Sequence, residues 1–331
     1  MKLIHHALLI LIGLTIVTLL VVISISFGIA DINLKTVYQS FFNFNGSREH
    51  LIIFNARVPR AVIAMMVGSC LAVAGTIMQA LTRNALAAPE ILGVNHGAAL
   101  FVVISIFLFD MTDPSTYTWF AFAGAGIVAT VVYLLSSMGR EGMTPLRLIL
   151  AGAAMTTLMS SLIQGIMIVN QQSLDNMRFW LAGSVVGRDL SLFMQILPYM
   201  MIGLVVPFFM SKQLTILSLG EETAVGLGQK TKAIKTISII IVVLLAGSSV
   251  AIAGPIGFVG LAVPHIARSI VGTDYKWIIP YSAILGAILV LLADITARFV
   301  LNNQELPVGV MTAMVGVPFF IYLARKKAHK L

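Results

Sequence analysis

Residues 7–30 read ALLILIGLTIVTLLVVISISFGIA, and none of these 24 side chains carries a charge. About 20 apolar residues in a helix are enough to cross the hydrocarbon core of a bilayer. The apolar region of a cleaved signal peptide is shorter, roughly 7–15 residues. This stretch therefore predicts a first transmembrane helix rather than a signal peptide.

The rest of the chain has the same apolar character. Of 331 residues, 59% are hydrophobic and 10% are charged, and the mean hydropathy is +0.99. A soluble domain carries about 25% charged residues, so the composition excludes a soluble enzyme, a nucleic-acid-binding protein and a disordered tail, despite a net charge of +8. Because lipid offers no hydrogen-bond partners to an open backbone, the sequence predicts an all-α polytopic membrane protein, with residues 1–331 as a single transmembrane domain.

Ten apolar segments predict about ten transmembrane helices. They lie at about 7–30, 61–82, 93–109, 117–137, 146–170, 191–210, 233–253, 257–271, 277–300 and 307–324. The third and eighth segments are short, so a count of nine is the alternative. Lys and Arg fall about two to one on the side that holds both termini, which predicts that the N- and C-termini are cytoplasmic.

The sequence contains no pattern typical of a catalytic or metal site. There is no nucleotide-binding loop, no HExxH and no Cys/His cluster with metal-ligand spacing. Cys70 is the single cysteine, so no intrachain disulfide can form. We predict no catalytic residue, no metal ligand and no cofactor bound directly by this chain.

Charged side chains beside the apolar segments are candidates for function, because they are costly in a membrane. Arg57 and Arg60 open the second segment at the outer boundary, where they can snorkel to lipid headgroups or dock an acidic partner. Asp294 and Arg298 lie four residues apart on one helix face, so they can pair with each other. Alternatively, Arg298 points outward toward a partner, and the spacing leaves both interpretations open.

The fifth segment carries a polar stripe at four-residue spacing. The stripe consists of Gly152, Thr156, Ser160 and Gln164. In lipid such a face must turn into the helix bundle, so it forms either the wall of a path or an interhelical hydrogen-bond seam. In the second segment, a stripe of small residues (Ala64, Gly68, Ala72 and Thr76) predicts close helix packing.

The longest inner loop, at about 211–235, is predicted to form a cytoplasmic knob of two short helices. Ser218 and Glu221 fit a capping box, and Glu221 and Glu222 suit the first turn of a helix. Gly226 and Gly228 provide stop signals, and a second short stretch, Gln229 to Lys235, is basic. Such a knob can receive force from a soluble motor protein.

Motifs along nearly the whole chain resemble the FecCD family of ABC importer permeases, the type II importers of iron–siderophore complexes, cobalamin and haem. In chain order they are 57–60 (RVPR), 75–79 (GTIMQ), 81–93 (LTRNALAAPEILG), 150–152 (LAG), 179–184 (FWLAGS), 219–228 (LGEETAVGLG), 253–265 (AGPIGFVGLAVPH), 293–298 (ADITAR) and 305–310 (ELPVGV). Ala85 stands where many relatives have proline. Since Asn84 and Pro89 remain, we expect the turn to form.

The resemblance implies a ten-helix permease subunit of the bacterial cytoplasmic membrane. It would pair with a second permease chain, identical or related, around a central path. Two cytoplasmic ATPase subunits would use the ATP, and an extracytoplasmic binding protein would deliver the substrate, so this chain is not itself an enzyme. Ferric siderophores are the favoured substrates, with cobalamin or haem as the alternative. A secondary transporter driven by an ion gradient is disfavoured, because the segments contain almost no midplane carboxylate and no repeated half.

The resemblance also implies roles for single residues. Arg57, Arg60 and Arg298 match arginines that face acidic residues of the binding protein. The family's coupling helices match 219–228, which makes Leu219, Gly220, Glu221, Glu222, Gly226 and Gly228 the expected ATPase contacts. In the family the fifth segment lines the path, which favours that role for Thr156, Ser160 and Gln164.

Overall fold

The computed structural model describes residues 2–28, 32–111, 113–138, 143–300 and 305–328, and it contains helices and no β-strand in these ranges. The all-α prediction is therefore confirmed. The helices are α1 (Lys2–Ser26), α2 (Leu34–Phe42), α3 (Arg48–Ile52), α4 (Val58–Thr82), α5 (Val94–Phe109), α6 (Pro114–Ser137), α7 (Pro145–Val169), α8 (Gln171–Leu181), α9 (Leu190–Phe209), α10 (Ser211–Ser218), α11 (Glu221–Gly226), α12 (Thr231–Val242), α13 (Ser248–Ala253), α14 (Val259–Val271), α15 (Tyr275–Ala297) and α16 (Val308–Ala328).

Seven helical stretches in the described ranges are long and apolar enough to cross a membrane. They are Ile4–Ser26, Arg48–Thr82, Thr116–Ser137, Pro145–Val169, Leu190–Phe209, Thr231–Ala253 and Tyr275–Ala297. Three shorter apolar helices, α5, α14 and the start of α16, match the third, eighth and tenth predicted segments. With 16 and 13 residues, α5 and α14 are only about 24 and 20 Å long at 1.5 Å per residue, so neither spans a core of about 30 Å by itself.

The centre of the molecule is α4, which is buried along most of its length and packs on α14 and α15. Its small residues allow backbones to touch. A Cβ added to Gly68 would lie 2.2 Å from the carbonyl oxygen of Gly286, and one added to Gly75 would lie 1.8 Å from that of Gly260. The predicted packing role of the small-residue stripe is confirmed.

The second predicted segment begins earlier than expected. Helical structure is continuous over Arg48–Thr82, with a π-helical turn at Ile53–Arg57 in which the Val58 N–H donates to the Ile53 carbonyl. Pro59, which has no N–H to donate, falls at the start of α4, where helix geometry tolerates it. Arg57 and Arg60 therefore lie within a helix and not in the loop before it.

The turn after α4 forms as expected despite Ala85. Arg83 ends α4 in the left-handed conformation. The Asn84 side chain accepts a hydrogen bond from the Leu86 N–H at 3.0 Å, and its carbonyl accepts one from the Ala87 N–H at 3.1 Å. The asparagine thus fixes the turn without help from a proline.

Candidate functional site

An ionic cluster lies where α4 begins and α15 ends. Arg60 bridges two carboxylates: its Nη2 lies 2.8 Å from Asp294 Oδ1, and its Nη1 lies 2.7 Å from Glu305 Oε2. Arg298 pairs with the other oxygen of Asp294, one helical turn away. The predicted pairing of Asp294 with Arg298 is confirmed.

Arg298 of this cluster and the neighbouring Arg57 also hold the C-terminal end of α1. Arg57 Nη1 donates to the carbonyl oxygen of Ser26 at 2.8 Å. Arg298 Nη1 donates to the carbonyls of Ser24 and Phe27 at 2.6 and 2.7 Å. The last carbonyls of a helix have no partner within it and carry partial negative charge, so the two guanidinium groups stabilise this helix end.

The three arginines predicted to dock a binding protein are thus engaged within the chain. Arg57, Arg60 and Arg298 are 5%, 8% and 4% exposed. Their guanidinium groups contact carboxylates and backbone carbonyls of the same chain. Their role in docking stays a prediction, and a partner would meet them at the rim of a buried cluster.

A cavity of about 450 Å³ lies between α5, α7 and the end of α8. Its lining residues are Asn95, His96, Ala99, Ser160, Ile163, Gln164, Met167, Leu181 and Pro255. The structure therefore brings two of the three predicted path residues, Ser160 and Gln164, to one cavity, which we call the path cavity. Thr156 is not among its lining residues and lies beside Gly93, near the start of α5.

Sequence reasoning missed Asn95 and His96, the polar residues that face Gln164 across the path cavity. They lie in the first turn of α5, which begins at Val94. Two polar residues at the start of an otherwise apolar helix were an available signal. However, a period within one segment does not reveal which residues of another segment lie opposite.

The hydroxyl groups that flank the stripe are satisfied within α7. Thr157 and Ser161 are exposed and donate to the carbonyls of Ala153 and Thr157, each 3.0 Å away and one turn earlier. In the described ranges neither hydroxyl donates to another helix. Their exposed side of α7 is available to something outside it.

The predicted coupling loop lies at the opposite end of α4 from the ionic cluster, since a Cβ on Gly220 would be 3.6 Å from Arg83 Nη1. It contains α10 and α11; α11 corresponds to the first of the two predicted short helices, and α10 precedes it where no separate helix was predicted. Three apolar side chains around α11 are exposed: Leu219 by 65%, Val225 by 57% and Leu227 by 64%.

The predicted capping box is wrong. Ser218 Oγ donates to the Thr215 carbonyl in the last turn of α10 instead of capping α11. Gly220 is the N-cap of α11, with φ +130° and no side chain to donate or accept. The basic stretch after Gly228 is likewise no separate element, because its end from Thr231 onward is the first part of α12.

The two acidic residues of α11 point in different directions. Glu222 is exposed. Glu221 Oε1 lies 2.6 Å from Lys235 Nζ, and Lys235, only 7% exposed, also donates to the Met143 carbonyl at 3.1 Å. Met143 directly precedes Thr144, the N-cap of α7. Lys235 therefore connects α11, α12 and the start of α7, a role that sequence reasoning missed.

In the described part of the chain, no three His, Cys, Asp or Glu side chains are grouped closely enough to hold a metal ion. The features that stand out are the path cavity, the ionic cluster and the short exposed helix α11. These are binding and positioning features in a membrane-spanning bundle.

Comparison with known proteins identifies the group to which this arrangement belongs. The FecCD transport family matches residues 15–326. The chain is 50% identical to the Bacillus subtilis protein named "Probable siderophore transport system permease protein YfiZ", over 92% of both chains. It is 44% identical to the Fe(3+)-citrate import system permease protein YfmD of the same organism, over 92% of this chain and 90% of that one.

A solved structure supports the same assignment. An ABC transporter described as of metal-chelate type, in an inward-facing conformation, superposes with a TM-score of 0.84 and 27% identity, over 96% of this chain and 99% of that one. The family match covers nearly the whole chain, and the relatives align over almost their full lengths. The chain belongs to the FecCD transport family.

Proposed function

We propose that this chain is the membrane permease subunit of an ABC importer that takes up ferric siderophores. The observation that carries the proposal is the family match together with the names of close relatives, which refer to siderophores, ferric citrate and ferric hydroxamates. The seven long apolar helices agree with a multi-pass protein of the bacterial inner membrane.

The proposed permease is a single transmembrane domain of ten spans, with both termini in the cytoplasm. The seven long helices supply seven spans, and α5, α14 and α16 supply the other three. Because α5 and α14 are short, they would cross with the help of the turns that precede them. The excess of Lys and Arg on the side of the termini supports this orientation.

The proposed path runs along α7. Ser160, which is half-buried, and Gln164, which is exposed, line the path cavity. Next to Gln164 on the same helix, Thr157 and Ser161 are also exposed, with their hydroxyl groups bonded to carbonyls of α7 itself. A second permease chain placed against this side would enclose the polar face of α7 between the two subunits.

The proposed ATPase contact is α11 with its flanking residues. Leu219, Val225 and Leu227 form an exposed apolar patch, and Glu222 adds a negative charge beside it. A patch of this kind fits a groove on a soluble subunit. A push on α11 would be transmitted by the Glu221–Lys235 pair to α12 and to the start of α7.

The proposed site for the extracytoplasmic binding protein is the rim of the ionic cluster. Arg57, Arg60 and Arg298 bring three positive charges to this rim. Guanidinium groups at the rim would attract an acidic surface and speed its docking, most strongly at low salt.

Uptake of radiolabelled iron by cells with and without this gene tests the proposal. We expect loss of uptake for at least one ferric siderophore, abolished by vanadate and insensitive to a protonophore in ATP-supplied vesicles. Unchanged uptake across catecholate, hydroxamate and citrate complexes would contradict it, and loss of cobalamin or haem uptake would reassign the substrate. Protonophore-sensitive, vanadate-resistant uptake would indicate a secondary transporter.

A further inference from the structure

A second cavity, of about 430 Å³, lies beside the ionic cluster, between the end of α8 and the start of α16. We call it the outer cavity, because Glu305 belongs both to its lining and to the cluster. Its polar and aromatic lining residues are Tyr117, Asn176, Phe179, Trp180, Ser184, Arg188 and Glu305. Its size is in the range of cavities that hold small ligands, about 300–1,000 Å³.

Arg188 is the unusual residue of this cavity. Its Nε donates to the Ser184 carbonyl at 3.0 Å, and its other polar contact is with Tyr117. In the described ranges of the chain, no carboxylate lies within ion-pair distance of it. Burial lowers the pKa of Arg188, partly offset by Tyr117, but a guanidinium group stays protonated in proteins.

Three other arginines at this end of the molecule have carboxylate partners, whereas Arg188 has none in the described ranges. Arg60 and Arg298 share Asp294, and Arg178 pairs with Asp175 at 2.6 Å. Asp189 follows Arg188 directly in the chain but does not pair with it. Its carboxylate instead accepts hydrogen bonds from the Ser191 hydroxyl and the Ser191 backbone N–H. These bonds lower the pKa of Asp189, so it remains ionised at the start of α9.

The lining favours a flat, oxygen-rich anion. A partly desolvated guanidinium binds anionic oxygens with charge-assisted hydrogen bonds. Asn176 adds an amide, and Phe179, which is 75% exposed, adds an apolar surface beside Trp180. The only carboxylate in the lining, that of Glu305, is already neutralised by Arg60 at 2.7 Å.

We propose that the outer cavity is the first site at which the permease holds its substrate, that it takes anionic ferric chelates such as citrate or catecholate complexes, and that Arg188 binds their oxygens. This inference rests on the proposed function and adds a substrate class to it. Trp180 lines the outer cavity and its neighbour Leu181 lines the path cavity. The end of α8 therefore separates the two cavities, and its displacement would pass the chelate inward.

Trp180 provides a direct test of binding in the full-length permease. The chain has three tryptophans, so Trp119→Phe with Trp277→Phe leaves Trp180 as the only indole. The protein is placed in lipid nanodiscs and titrated with ferric citrate, a ferric tricatecholate and a ferric trihydroxamate of zero net charge. Ferric chelates absorb strongly and quench indole fluorescence when they bind close by.

We expect saturable quenching by the two anionic chelates and weaker binding of the neutral one. Arg188→Gln should weaken the anionic chelates about tenfold or more, as expected for the loss of a charged hydrogen bond, and Arg188→Lys should restore part of that affinity. Arg178→Gln is the matched control, because Arg178 is exposed, stands at the same end and already has a carboxylate. It should leave the affinity unchanged.

Equal affinity of Arg188→Gln and the unsubstituted protein for ferric citrate would overturn the inference, as would equal affinity for the neutral chelate. Uptake by the complete transporter separates this failure from that of the proposed function. If the unsubstituted transporter imports anionic chelates with the same KM as its Arg188→Gln variant, the inference fails and the function stands. If it imports no ferric chelate, the proposed function fails.

Discussion

Replacement of Glu221 by Gln would test whether α11 is fastened to the transmembrane helices through Lys235. Glutamine keeps the size of the side chain but removes its charge. The Lys235 ammonium, whose side chain is 8% exposed, would then lose its ion pair and have only neutral acceptors, the Met143 carbonyl at 3.1 Å and the new amide oxygen. We expect α11 to detach from α12 more often, without global unfolding.

The size of the effect follows from how exposed the two partners are. An ion pair at the surface contributes about 0–1 kcal/mol, and removing one partner of a buried pair costs about 3–5 kcal/mol. Lys235 is buried but the Glu221 side chain is 45% exposed, so solvent screens the pair and the cost lies between these values. A loss of about 2 kcal/mol corresponds to a roughly 30-fold larger population of the detached state.

Hydrogen exchange of the α11 amides measures this population. The Ala224 and Leu227 N–H groups, which donate to the Gly220 and Thr223 carbonyls, should exchange up to about 30-fold faster in Glu221→Gln. Glu222→Gln is the control, because that neighbouring carboxylate is exposed. Equal exchange in the two variants would refute the reasoning.

Three other perturbations have expected outcomes. Asp294→Asn removes the carboxylate shared by two buried arginines and should cost about 3–5 kcal/mol of stability. The measurement is the thermal unfolding temperature in detergent, which should fall. Thr296→Ala, at an exposed site two residues further on, should change that temperature little. Gly75→Ala places a Cβ 1.8 Å from a backbone oxygen and should also lower that temperature, whereas Gly165→Ala, with open space around it, should not. A charge placed in the exposed patch by Leu227→Asp should reduce co-purification of the ATPase subunit while thermal stability is kept; normal co-purification would argue against the coupling assignment.

The sequence predicts much of the fold because the apolar runs that cross a membrane are long and nearly free of charge. It places the start of the second span too late, since charged residues from Arg48 onward precede the apolar run, and a π-helical turn cannot be read from composition. It misses α8 because that helix is short and polar, so no apolar run marks its position.

Some of the candidate functional residues can be predicted from the sequence and others cannot. Ser160 and Gln164 are found because a four-residue period marks one face of one helix. Asn95, Lys235 and Arg188 are missed because each acquires its meaning from groups distant in the sequence: Gln164 across a cavity, the Met143 carbonyl, and the lack of a carboxylate partner. Distances between segments are set by packing, which a pattern within one segment does not encode.

The glycine contacts of α4 have a mechanical consequence. Gly68 meets Gly286 of α15, and Gly75 meets Gly260 of α14, so backbones touch without side chains between them and α4 cannot slide past either helix without a collision of carbonyl oxygens. The three helices α4, α14 and α15 therefore form a frame that is held together by backbone contacts. Relative motion is easier where longer side chains form the contact, because a side chain can change its rotamer whereas two touching backbones cannot give way.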